Sequence, residues 1–148
     1  MTRALVLLLL LSACGPSEKT AGVPAAAPFD LSDVMLKLQV HAGKLAFAAD
    51  AENWDLARFY VDQIEEDIRP LAAGEIMAGT TNVSDTARTL FPPLLTRLRE
   101  ATLDRDAAAF QQRYLDLVQG CNSCHRATGH AYVVIERPEG GVFGNQRY

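Results

Sequence analysis

The chain reads as an all-α protein, an antiparallel four-helix bundle with a C-terminal tail. Four stretches place apolar residues at spacings of three and four, the signature of helices with one buried face. Alternation with period two is confined to one short candidate, Tyr132 to Ile135. A length of 148 residues, 49% hydrophobic and 22% charged, suits one domain with an ordinary core.

The first helix is predicted from about Leu31 to Asp50, with Asp30 or Ser32 as N-cap and Leu31, Val34, Leu38, His41, Leu45 and Ala48 as its inner stripe. The second begins near Asn53 and ends at about Arg69, before Pro70. Trp54, Ala57, Val61, Ile64 and Ile68 keep its rhythm, and Asp62, Glu65, Glu66 and Asp67 mark the wet side. Leu71 to Ser84 has no period and reads as a connection. Pro92-Pro93 should kink the third helix or mark its first turn, with Phe91, Leu94, Leu98 and Ala101 facing inwards. The fourth opens near Asp104, and its stripe is Ala107, Phe110, Tyr114, Leu117, Cys121 and Cys124. It ends at Gly129, and residues 130–148 form the tail. The four-helix domain is thus residues 30–129.

Ahead of it stands an export signal. Met1-Thr2-Arg3 is a short positive start, and the run from Ala4 to Leu11 falls far short of the roughly 20 apolar residues of a spanning helix. Leu11-Ser12-Ala13-Cys14 resembles the bacterial lipobox, in which the cysteine thiol accepts a glyceride and becomes the mature N-terminus. The alternative is an ordinary signal peptide cleaved near Ala13, with Cys14 incidental. Under the lipoprotein reading residues 1–13 are removed, only Arg3 is lost among charged residues, and 13 basic against 18 acidic residues leave a formal charge of −5. Residues 14–29 then form a tether. Its small, Pro-containing stretch of about 14 residues would span roughly 20 Å as a coil. The expected location is the periplasmic side of the envelope, with a membrane anchor at Cys14. Gly15 rather than Asp after the anchor favours the outer membrane in a Gram-negative host. No basic patch points to nucleic acid.

Besides Cys14, the only cysteines stand in Cys121-Asn122-Ser123-Cys124-His125. Cysteines three apart on a helix share a side, so both thiols can reach the two vinyl groups on one porphyrin edge while the adjacent histidine faces the iron. C-x-x-C-H on an exported chain is the attachment signature of haem c. A thioredoxin-like pair would need a strand before the motif, where here a helix runs into it. A structural zinc would need four ligands, and only His41 and His130 remain as histidines.

A four-helix domain with C-x-x-C-H late in its last helix resembles the class II c-type cytochromes, namely cytochrome c prime and its low-spin relatives. The resemblance covers about Leu31 to Thr128 in pattern, and only the haem motif is residue-specific. The tail departs from that class and, together with the Asn53-Trp54 segment, is similar to a group of small exported bacterial haem proteins. The resemblance implies a haem iron held by His125, with a distal residue from the first helix that either ligates the iron or leaves it open. His41, a polar residue on an apolar stripe, is the first candidate for that sixth ligand and Met35 the alternative; the third possibility is an open site. His130 follows the proximal ligand on nearly the same segment and reads as a surface residue. Trp54 reads as packing, and Arg126 and Arg137 as propionate partners or solvated arginines.

The functional expectation is a one-electron carrier docking transiently to redox partner proteins, rather than an enzyme: no Ser-His-Asp set, phosphate loop or carboxylate pair can be argued from spacing. The alternative is a haem-based binding module for nitric oxide or carbon monoxide at an open distal site. A third reading keeps the lipoprotein but makes the C-x-x-C-H a disulfide or metal site.

Overall fold

The computed structural model describes residues 29–140 and 146–148; the signal segment, Cys14 and nearly all of the tether lie outside them. Four helices follow one another: α1 (Leu31–Asp50), α2 (Trp54–Ala73), α3 (Val83–Leu103) and α4 (Ala107–Ala127). Each starts at a side-chain cap that accepts from an otherwise unpaired N–H. Asp30 accepts from Ser32, Asn53 from Leu56, Asn82 from Asp85 and Asp106 from Ala109, at 2.8, 3.2, 3.0 and 2.9 Å. The α1–α2 and α3–α4 turns each use one left-handed residue, Glu52 and Arg105, both at φ 53°. Such short turns make sequence neighbours antiparallel space neighbours, and the all-α bundle expected from the sequence is what forms.

Pro70, expected to end the second helix, and Pro92-Pro93, expected to kink the third or mark its first turn, all lie inside helices. α2 runs through Pro70 to Ala73. The missing N–H costs one bond to the Glu66 carbonyl, and the next turn is held by Leu71, which is buried in the core. α3 starts at Val83, so Pro92-Pro93 fall in its middle, both exposed. What hid this beginning was Ser84, a polar residue that is fully buried because its Oγ accepts from Ile76 N–H at 3.0 Å. The connection before it is a hairpin, β1 (Met77–Ala78) against β2 (Thr81–Asn82), closed over Gly79 at φ +59°. Tyr132–Ile135, by contrast, forms no strand.

The core holds Leu45, Val61, Ile64, Leu98, Phe110, Tyr114 and Leu117, all fully or almost fully buried. α1 and α4 meet over only a short stretch, pinned where Tyr114 Oη donates to the Ala42 carbonyl at 3.0 Å. The tail runs back along this seam. Ile135 packs on the core, Arg137 pairs with Asp50 and lies over the Tyr114 ring, and Tyr148 meets Phe47 with centroids 5.4 Å apart. Further along, Gln146 hydrogen-bonds Tyr60 Oη. The tail is therefore a fifth element of the fold.

Candidate functional site

At the end of the bundle where α1 and α3 begin and α2 and α4 finish, side chains withdraw to leave a cavity of about 400 Å³. That is within the usual size of a small-molecule or cofactor site. Leu31, Leu38, Leu71, Phe91 and Leu117 make its walls apolar, and Cys121, Cys124 and His125 line it together. They do so because positions 117, 121, 124 and 125 share one face of α4, the face that carries Phe110 and Tyr114 further down. The hairpin closes this end by a bond from Thr81 Oγ1 to the last helical carbonyl, Ala127 O, at 2.7 Å.

His125 is held by the tail. Its Nδ1 lies 2.9 Å from the carbonyl oxygen of Val133. A carbonyl only accepts, so Nδ1 carries the proton and Nε2 is the ring nitrogen with a lone pair. This is the arrangement metal-binding histidines use: one nitrogen donates to a fixed acceptor and the other is presented to the ion. The segment that brings Val133 there is itself fixed by the motif. Asn122 Oδ1 accepts from Ile135 N–H at 2.7 Å, and its Nδ2 donates to Ile135 O at 2.8 Å.

Cys121 and Cys124 are free thiols. Burial, reinforced by Cys124 nearby, pushes the Cys121 thiol up to about 11, and burial raises Cys124 as well. A redox-active pair shows the opposite trend, with a nucleophilic thiol stabilised as thiolate. Among the described residues no three His, Cys, Asp or Glu side chains converge to hold a metal ion by themselves. The lining offers two thiols and two imidazoles, those of His125 and His130, in an otherwise largely apolar cavity.

The two candidates on α1 part company. Met35 lines the cavity with Leu31, Leu38 and Ala42, at steps of four, three and four residues. His41 was expected to face the iron, but it is not among the lining residues. It lies about 100° round the helix from Ala42, towards α2, and its Nδ1 donates to Asp67 Oδ2 at 2.6 Å. That pair satisfies Nδ1 of the ring on the otherwise apolar stripe. His130, expected at the surface, is exposed but also reaches the cavity rim. Trp54 packs edge-on against Phe110 at the far end of the bundle. Arg137 is taken by Asp50, and Arg126 donates to Ser123 Oγ at 3.0 Å. Sequence reasoning did not find Asn122 or Val133. The available signals were an amide side chain inside the motif and a β-branched run in the tail, which suits extended backbone with unpaired groups to offer.

No family model matches the chain, and neither a search of curated proteins nor one of solved structures returns a match.

Proposed function

We propose that this chain is an exported, lipid-anchored monohaem c-type cytochrome that carries single electrons at the cell envelope. The observation that supports it most is the shared apolar cavity of Cys121, Cys124 and His125, with His125 Nδ1 already engaged by Val133 O. Each thiol would add across one vinyl C=C of the porphyrin, sulfur bonding the carbon next to the ring and the hydrogen going to the terminal carbon, so that nothing leaves. Bound haem supplies a reversible one-electron couple. The rest is the work of the chain. His125 presents Nε2 as the proximal donor, the apolar walls keep water from it, and Met35 offers a thioether from the facing helix. Met35 lines the cavity and His41 does not, so we assign the sixth position to Met35. Redox partners would dock transiently at this end of the bundle.

The test is to make the protein with a cytochrome c maturation apparatus. Its mass should exceed that of the processed chain by one intact haem, and the colour should survive denaturation and acid-acetone extraction. A haem-free mass under those conditions overturns the proposal. Reduced wild type should be low-spin, Met35→Ala high-spin and open to carbon monoxide, and His41→Ala spectroscopically like wild type. One observation favours a second reading: apart from Met35, the α1 side of the cavity presents the apolar Leu31, Leu36, Leu38 and Ala42 and the neutral, weakly donating Ser32 and Gln39, with no imidazole or thiolate. If wild type is already high-spin and Met35→Ala changes nothing, the distal site is open and the protein is a binding module for nitric oxide or carbon monoxide.

A further inference from the structure

Asn122 occupies a variable position of C-x-x-C-H, where haem attachment asks for no particular side chain. Here its amide spends both of its polar ends on one residue of the tail, accepting from Ile135 N–H and donating to Ile135 O. An asparagine that pairs with both backbone groups of one residue acts as a one-residue strand partner, fixing that residue's position and orientation. Two residues earlier in the same tail is Val133, whose carbonyl accepts from His125 Nδ1. A second backbone bond, from Val133 N–H to His130 O at 2.8 Å, tightens the turn between them. Residues 122 and 125 lie on adjacent turns of α4, so the tail touches the helix at two points one helical step apart.

We infer that Asn122 is a positioning residue for the proximal histidine. By clamping Ile135 it sets the Val133 carbonyl against Nδ1 of His125, which fixes the ring's tautomer and rotation and directs Nε2 to the iron. This inference rests on the haem reading of the site and adds to it. Val133 is exposed and contributes little packing of its own. Ile135 packs against the core through its side chain, but that contact alone leaves the backbone free to rotate about its own axis. The clamp removes this freedom. A histidine that donates a firm hydrogen bond from Nδ1 is a more basic ligand and favours the ferric iron. Loosening the bond therefore raises the reduction potential.

The measurement is the potential of the haem-loaded protein, paired with amide exchange at Ile135. Asn122→Ala should shift the ferric-to-ferrous equilibrium roughly tenfold towards ferrous, an upward change of about 59 mV for one electron. Ile135 N–H, deprived of its acceptor, should exchange at least about tenfold faster. Asn122→Thr keeps one hydroxyl for Ile135 without adding charge, and it should move the potential the same way by a smaller step. It also serves if Asn122→Ala fails to fold. Tyr148→Ala removes a packing anchor of the tail outside the cavity but keeps the backbone clamp, so its potential should stay at the wild-type value. Faster exchange with an unchanged potential would overturn the inference, since Asn122 would then only hold the tail. A shift in Tyr148→Ala as large as in Asn122→Ala would overturn it too. A wild type that takes up no haem sinks the haem reading itself, a result plainly different from a loaded protein whose potential ignores Asn122.

Discussion

Gly120 lies one residue before Cys121 and faces Leu90 and Leu94 of α3. A Cβ built there would stand 2.8 Å from Leu94 Cδ1, so an alanine must push that side chain aside. Replacing a helical glycine by alanine gains about 1 kcal/mol of propensity, and overpacking a filled core costs about 1–3 kcal/mol. For alanine the two nearly offset, since the atom met is the terminal methyl of a flexible side chain: Gly120→Ala is expected to stay within about 1 kcal/mol of wild type by denaturant titration, and the larger Gly120→Val to lose about 3 kcal/mol, with lower haem yield because Cys121 moves with the helix. A Gly120→Ala chain more stable than wild type would show that Leu94 yields freely. At this scale the motif residues were legible because one short spacing carries their chemistry. His41 and Met35 were not told apart, because the apolar stripe of α1 is really two faces. Val34, Leu45 and Ala48 turn to the core beside α2, while Leu31, Met35, Leu38 and Ala42 turn to the cavity. Periodicity finds a buried face but cannot say what lies opposite it.

Among the elements, α1 matched its expected bounds from Leu31 to Asp50, since an Asp cap and an unbroken apolar rhythm agree there. The prolines misled because a proline in a helix is a cost that tertiary packing can offset. In α3 the bonds forfeited are those to the carbonyls of Arg88 and Thr89, on an exposed face, while Phe91, Leu94 and Leu95 bury the other side. Restoring both donors in Pro92→Ala/Pro93→Ala should raise stability by about 1–3 kcal/mol, after part of the gain is lost to the freer unfolded chain. A thermal scan reads this as a higher Tm. A lower Tm would mean that the prolines set a bend the core needs. The tail was the least legible element. Its anchors join residues far apart in sequence, Arg137 to Asp50 and Gln146 to Tyr60, and no local pattern encodes such pairs.

The molecule as a whole is polar along its length, with the cavity at one end and the packed aromatic cluster of Trp54, Phe110 and Tyr114 towards the other. The chain enters this bundle at the cavity end, since Leu31, the first residue of α1, is itself a lining residue. If Cys14 carries a lipid, as the lipobox leads us to propose, the link from anchor to α1 is short, residues 15–30. An anchor so placed would keep the cavity end, the redox end under the proposed function, close to the membrane. Tethering of this kind raises the effective concentration of a partner within reach, up to the millimolar range for short links, without any new contact. Two consequences can be separated by one variant. Cys14→Ala should move the protein to the soluble periplasmic fraction with its haem spectrum unchanged. Its reduction by a small soluble dye should keep the wild-type rate, while reduction by a membrane-embedded donor should slow by at least about tenfold at micromolar protein. Unchanged membrane association would place the anchor elsewhere in the chain. Release with no loss of rate to the membrane donor would show that the physiological partner is soluble and that the tether serves retention alone.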